Sequence, residues 1–262
     1  MAAADADRAL VAAWEVLGAG CAERPDGDAV EMDFWVPLAG PGPEVVRAGL
    51  AERGVAAEVT AEPEGEEWKD ALRRFHRPVR VGGRLLVRPP WTPPEPGLLD
   101  VVVDPGMAFG TGQHATTRTC LELLADLPGG PLLDAGCGSG VVAIAARRLG
   151  HDPVWAVDAD VLAVAATIDN ARANGVGLVV GRRVIGRDRL PSAPLVVANL
   201  TAEVLLVLCD ALAGAPPEHL VASGLRPHEA DPTARAFAGL GLAEVRRVER
   251  DGWATLHLAR GR

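Results

Sequence analysis

The segment Leu132–Gly140, LLDAGCGSG, places glycine at positions 136, 138 and 140 behind apolar residues interrupted by Asp134. A strand ending in such a turn lets the backbone approach a ligand and aims the first N–H groups of the next helix at negative charge. A second apolar run, VWAVDAD, ends at Asp158, 18 residues beyond Gly140. A carboxylate at that strand tip can accept hydrogen bonds from both hydroxyls of a ribose, so turn and acid together read as a site for an adenosine-bearing cofactor. Taken singly, each has a plainer reading: a structural glycine turn, and an aspartate closing a strand. Asp160 competes with Asp158 but reads better as the cap of a helix starting at Val161. The dinucleotide spacing G-x-G-x-x-G fails by one position, at Val141.

Two further stretches carry chemistry. In PLVVANLTAE, Asn199 closes an apolar strand ahead of a helix. Its side chain and the carbonyls near Leu200 can accept hydrogen bonds from an amine, although on spacing alone a helix cap is the better reading of Asn199. No aromatic ring follows Asn199 and the chain has no tyrosine, so a flexible aliphatic amine is a more natural target than a planar base or amide. The stretch DPGMAFGTGQHATT, Asp104–Thr117, sets three glycines, Gly110 among them, around Phe109 and Thr111 before His114 and two threonines that open a helix. A loop of this kind can lie over a ligand and present backbone N–H groups. His114 is the local candidate for a general base, or else a turn residue satisfied by backbone. Thr116 or Thr117 is the candidate helix cap.

These residues need a frame to position them. From Leu98 the chain alternates apolar runs, glycine turns and helix-spaced runs. The candidate strands are LLDVVVD, PLLDAG, VWAVDA, LVVGRRV, PLVVAN, HLVASGL, AEVRRVER and WATLHLA. The helical stretches are TTRTCLELLADL, GVVAIAARRLG, DVLAVAATIDNARANG and AEVLLVLCDALAG. Such alternation predicts a parallel sheet covered on both faces, with an antiparallel hairpin from the last two strands. Residues 1–62 read as a small α+β module: helix at ADRALVAAWEVL, extended AVEMDFWVPL, helix PEVVRAGLAERG and extended VAAEVTAE. Residues 63–97 follow as a helix, a strand pair around Gly82 and Gly83, and a strap whose prolines forbid helix.

Composition narrows the class further. The 262 residues, 48% hydrophobic, suffice for one large core with a small appended domain. The longest apolar run, from Val204, is broken by Asp210 and too short for a bilayer, which needs about 20 residues. The N-terminus lacks the basic region of a secretory signal, so a cytoplasmic protein is expected. A net charge of −9 argues against sequence-independent binding to duplex DNA. Cys21, Cys120, Cys137 and Cys209 form no C-x-x-C pair and read as free buried thiols, with neither metal nor disulfide.

The G-x-G-x-G turn behind Asp134 resembles that of class I methyltransferases, which bind S-adenosylmethionine. The string PGMAFGTGQHATT narrows the resemblance to the PrmA family, the methyltransferases of ribosomal protein L11. EEWKDALRRFHRPVRV, LLVRPPW, GCGSGVVAIAARRLG, VVANLTAEVL and ASGL extend it from about Glu66 to the C-terminus. The resemblance implies a Rossmann-like α/β fold with a seven-stranded, mostly parallel sheet, S-adenosylmethionine as cofactor, and no metal. Thr117, Gly136, Asp158 and Asn199 would contact the cofactor, with Asp134, Gly138 and Gly140 in its turn. Phe109, Gly110 and Thr111 would close over the methionine end. The implied partner is ribosomal protein L11, free or on the large subunit, modified on lysine or N-terminal amines by a monomeric enzyme. Family members begin with a strand in the small domain, whereas this chain is expected to begin in a helix. Two other readings are a methyltransferase of another protein lysine or small-molecule amine, and a non-enzymatic S-adenosylmethionine-binding module.

Overall fold

The computed structural model describes residues 21–26, 29–34, 42–60, 76–104 and 112–261. The chain divides into two compact units, Met1–Trp68 and Lys69–Arg262.

In the first unit, β1 (Cys21–Asp26) and β2 (Ala29–Phe34) form an antiparallel pair, with Cys21 opposite Phe34. They are followed by α1 (Pro43–Glu52), which has Pro43 in its first turn and buries Val46 and Leu50. The strand β1 was not expected, because its sequence CAERPD carries turn and charged residues. Backbone pairing with β2 overrides that local bias. Extended structure was expected from Val55, but residues 55–60 hold no strand; there the Val59 carbonyl accepts from the Arg47 guanidinium at 2.9 Å. The N-terminal helical stretch lies outside the described residues.

The second unit opens with β3 (Val79–Val81), β4 (Leu85–Arg88) and β5 (Leu99–Val102). Here β3 pairs antiparallel and β5 parallel to β4. The LLDVVVD run expected to open the main sheet therefore belongs to a separate three-stranded sheet. Arg88 locks it with a bidentate pair to Asp100, at 2.6 and 2.7 Å.

The chain then continues through α2 (Ala115–Ala125), β6 (Leu132–Ala135), α3 (Val141–Arg148), β7 (Val154–Asp158), α4 (Val161–Ala173), β8 (Val179–Arg182) and β9 (Leu195–Asn199). It ends with α5 (Ala202–Leu212), β10 (His219–Leu225), α6 (Pro227–Ala238), β11 (Leu242–Arg250) and β12 (Trp253–Arg260). The seven-stranded sheet runs β11-β12-β10-β9-β6-β7-β8. Strands β8, β7, β6, β9 and β10 are parallel, while β12 is antiparallel to both β10 and β11. This is the expected class I methyltransferase architecture.

Alternation along the strands builds a core on each face. Leu132, Leu195, Val197 and Val221 face one side, with residues of α2 and α3 and of the three-stranded sheet. Leu133, Val196, Ala198 and Leu220 face the other, with residues of α5 and α6. Each fully buried leucine contributes about 1.5–3 kcal/mol. Helix α6 was not legible in the sequence because Pro227 and Pro232 fall within it. Pro227 occupies the first turn, where no donor is needed, and buried Ala230, Thr233 and Phe237 hold the helix against the sheet.

Candidate active site

Strands β7, β6 and β9 end on one edge of the sheet, and because neighbours β7 and β9 flank β6, that edge is the topological switch point. The turn after β6 is left-handed at each glycine: φ is +81° at Gly136, +54° at Gly138 and +81° at Gly140. Side chains disfavour that region, and space forbids them as well. A β-carbon on Gly136 would lie 2.4 Å from Leu200 Cδ2, and one on Gly140 would lie 2.9 Å from Thr167 Cγ2.

Asp134 and Asp158 hold this turn from opposite ends. Asp134 is buried, and its Oδ2 accepts from the Ala143 N–H at 3.0 Å, inside the first turn of α3. Burial, opposed by that bond and aided by the Asp158 charge, pushes its pKa up to about 7. Asp134 thus serves the helix end. Asp158 closes β7; its Oδ2 accepts from Gly138 N–H and its Oδ1 from Asp160 N–H, each at 3.0 Å. A carboxylate oxygen takes two hydrogen bonds, so each retains capacity for a ribose hydroxyl. Asp160 caps α4, accepting from Leu162 N–H at 2.9 Å.

Helix α4 braces the turn through residues that the sequence reading passed over. Thr167 donates to the Gly138 carbonyl at 2.9 Å, and Asn170 donates to the Ser139 carbonyl at 2.9 Å while accepting from Asp104 N–H at 3.1 Å. Asn174 exchanges two bonds with the Val102 backbone, at 2.8 and 2.6 Å. Positions 167, 170 and 174 follow helical spacing, and a polar stripe buried on an otherwise apolar helix is the signal that could have found them.

On the other side of β6, Asn199 ends β9 and is no helix cap: Thr201 holds that position. Its Nδ2 donates to Thr116 Oγ1 at 3.1 Å and Thr117 Oγ1 at 3.4 Å. The threonines reach it because Gly112, at φ +81°, lets the chain cross directly over Val87. The cap of α2 is His114 rather than either threonine. Its Nδ1 accepts from Thr116 N–H at 3.4 Å and lies 2.7 Å from Thr116 Oγ1. A backbone N–H can only donate, so Nδ1 is the acceptor in this cap. Phe109, Gly110 and Thr111 lie outside the described residues.

The cradle fits a nucleoside cofactor: three left-handed glycines, a helix N-terminus and an anchored acid stand together. Burial pushes the Cys120 thiol up to about 12 and raises that of Cys137 further, so neither is a nucleophile. Among the described residues, no group of three or more histidine, cysteine or acidic residues could hold a metal, and no helix is long and apolar enough to cross a membrane.

Comparison with known proteins agrees with this geometry. The sequence model of the family described as "Ribosomal protein L11 methyltransferase (PrmA)" matches residues 47–261. A relative of that name from Symbiobacterium thermophilum is 36% identical over 251 residues, covering 89% of this chain and 83% of its own. Another, from Pelotomaculum thermopropionicum, is 43% identical over 204 residues, covering 73% and 65% respectively. Among solved structures, a ribosomal protein L11 methylase from Lactobacillus delbrueckii subsp. bulgaricus superposes with a TM-score of 0.64 at 26% identity, covering 71% of this chain and all of its own.

Proposed function

The chain belongs to the ribosomal protein L11 methyltransferase family, and on that premise we propose that it methylates amines of ribosomal protein L11. The cofactor of the reaction is S-adenosylmethionine, which when bound supplies an electrophilic methyl group on a sulfonium. The observation that carries the reading is the sequence of groups along one sheet edge: Asp158 on β7, the glycine turn after β6, and Asn199 on β9.

In this proposal Asp158 takes the ribose hydroxyls, Gly136, Gly138 and Gly140 admit the nucleoside and amino-acid portions, and Thr117 completes the cradle. Asp134 positions α3 from beneath. Methyl transfer to an amine is an in-line displacement, so the protein's main contribution is to hold the nitrogen at attack distance with the correct line of approach. Asn199 and the carbonyl of Leu200 supply acceptors for the amine protons. Thr116 and Thr117 fix the Asn199 amide by receiving its donor end.

A free lysine has a pKa of about 10.4 and is almost wholly charged at neutral pH. Removing it from water depresses that value and favours the neutral, reactive amine. His114 is assigned a positioning role, because its Nδ1 is engaged by Thr116 at the start of α2. The N-terminal residues 1–62, joined through 63–97 to the methyltransferase domain at 98–262, are proposed to recognise the ribosomal protein. Phe109, Gly110 and Thr111 are proposed to cover the methionine end.

The test is mass spectrometry of purified ribosomal protein L11 after incubation with the protein and S-adenosylmethionine, beside an Asp158→Ala control. Increments of whole methyl groups, absent in the control, support the reading. Retained S-adenosylmethionine binding without any increment would remove the ribosomal acceptor and leave the fold assignment standing.

A further inference from the structure

Strand order places two groups on the acceptor's side of Asn199 that the methyl-transfer chemistry does not use. Moving along the sheet edge away from the cofactor turn, β9 is followed by β10 and then β12. Arg226 directly follows β10, and Trp253 opens β12, with Leu225 paired to Ala254. A continuous line of contacts links them to the site. Asn199 bonds Thr116, Thr116 bonds His114, and the His114 ring meets Trp253 edge-on, with centroids 5.1 Å apart. The Arg226 guanidinium lies over the other member of that line, 4.0 Å from the Trp253 ring centroid.

A cation–π contact of this kind takes up no N–H donor in a hydrogen bond, so the guanidinium donors stay available to a ligand. Arg226 is exposed, and among the described residues no carboxylate pairs with its side chain. The nearby Glu229 meets the Arg226 backbone instead, accepting from its N–H at 2.6 Å. By contrast Arg88, Arg247 and Arg250 are each engaged by carboxylates. In a chain of net charge −9 a guanidinium held over Trp253 with no carboxylate partner among the described residues is set to receive an anion.

Resting on the methyltransferase reading above, we propose that Arg226, held over Trp253, binds a carboxylate of the acceptor protein close to the amine being methylated. Asn199 is opposite Ser223, so Arg226 and Trp253 stand three residues further along the neighbouring strands, and at about 3.3 Å per residue and about 5 Å per strand they lie about 10–15 Å from Asn199. An extended chain covers that in about three to five residues, which sets how near the acidic residue stands to the target amine. Arg226 is thus a specificity-determining residue, selecting amines with an acidic neighbour.

The test compares the full-length protein with Arg226→Gln and Arg226→Lys, using purified ribosomal protein L11 as acceptor. Four quantities are read: KM and kcat for L11, the dissociation constant of L11 from enzyme saturated with S-adenosylhomocysteine, and that of S-adenosylhomocysteine itself. Loss of a charge-assisted pair predicts a rise of about 10- to 100-fold in KM and in L11 dissociation for Arg226→Gln, larger than any fall in kcat. Arg226→Lys recovers part of the loss, and S-adenosylhomocysteine binding does not move. Charge reversal by Arg226→Glu, rescued by lysine at one acidic L11 position, would identify the partner. Unchanged KM with active wild-type protein overturns this inference alone, as does an equal loss of cofactor affinity, which would place Arg226 on the cofactor. Failure of the wild-type protein to methylate L11 overturns the functional reading, and the inference with it.

Discussion

The carbonyl oxygen of Leu200 stands 2.3 Å from where a β-carbon on Gly224 would be, and the tip of the Leu200 side chain stands 2.4 Å from the corresponding point on Gly136. One residue after Asn199 therefore fills two glycine-shaped gaps, one in the cofactor turn and one at the end of β10. Gly224→Ala must displace backbone at φ +86°, with an expected loss of at least about 2 kcal/mol of stability. Gly136→Ala meets the mobile end of a side chain and should cost less stability, yet still weaken cofactor binding. Urea denaturation and calorimetry with S-adenosylhomocysteine check both; equal destabilisation would contradict the distinction.

Asp158 anchors Gly138 as well as offering its remaining lone pairs to a ribose. Asp158→Asn removes the charge behind those bonds, each worth about 1.5–3 kcal/mol, so S-adenosylhomocysteine affinity should fall by about 10- to 100-fold. Asp158→Ala should fall further and speed hydrogen exchange at the Gly138 amide. Slow exchange in the alanine variant would show that α4 alone holds the turn.

Asp134 makes the folded state sensitive to pH. Burial raises its pKa from 3.8 to about 7, so between those values the folded protein retains a proton that the unfolded chain releases. The stability tied to this proton is complete below the lower value, declines as pH rises, and is gone above the upper one. Asparagine cannot ionise and can still accept from Ala143. The unfolding free energy of Asp134→Asn relative to wild type should therefore increase from pH 5 to pH 8, and a flat difference would mean the carboxylate is ionised throughout.

Asn199 and His114 should separate by their kinetics. Misplacing the amine by about 1 Å can reduce turnover by about 100-fold, so Asn199→Ala should lose kcat on that scale. His114→Ala loses a helix cap worth about 1 kcal/mol and loosens Thr116, with a smaller fall in kcat. The slope of log kcat against pH should not change in the histidine variant. A lost limb in that profile would restore His114 as a general base.

How much of this site was legible depended on how local its determinants are. The glycine turn, Asp158, Asp160 as a cap, and the strand–helix alternation from Leu132 onward all follow from residue type and short spacing, because φ > 0, capping and burial periodicity act within a few residues. Asn199 was legible as a strand end with two possible roles. The choice between them lay in the position of Thr116 and Thr117, 83 and 82 residues away in sequence.

The sequence by itself determined the doubly wound sheet, the cofactor turn and the acid beyond it, since these are set by local backbone and hydrophobic preferences that no distant contact needs to correct. Only the tertiary structure decided which sheet claimed Leu99–Val102, that the proline-bearing segment Pro227–Ala238 is a helix, that Thr167 and Asn170 brace the turn, and that Asn174 ties the end of α4 to Val102. It also brought Arg226 onto Trp253. These outcomes rest on pairing, packing and hydrogen-bond satisfaction between segments remote in the chain. Such contacts exist only once the sheet has closed, and a local pattern carries no record of them.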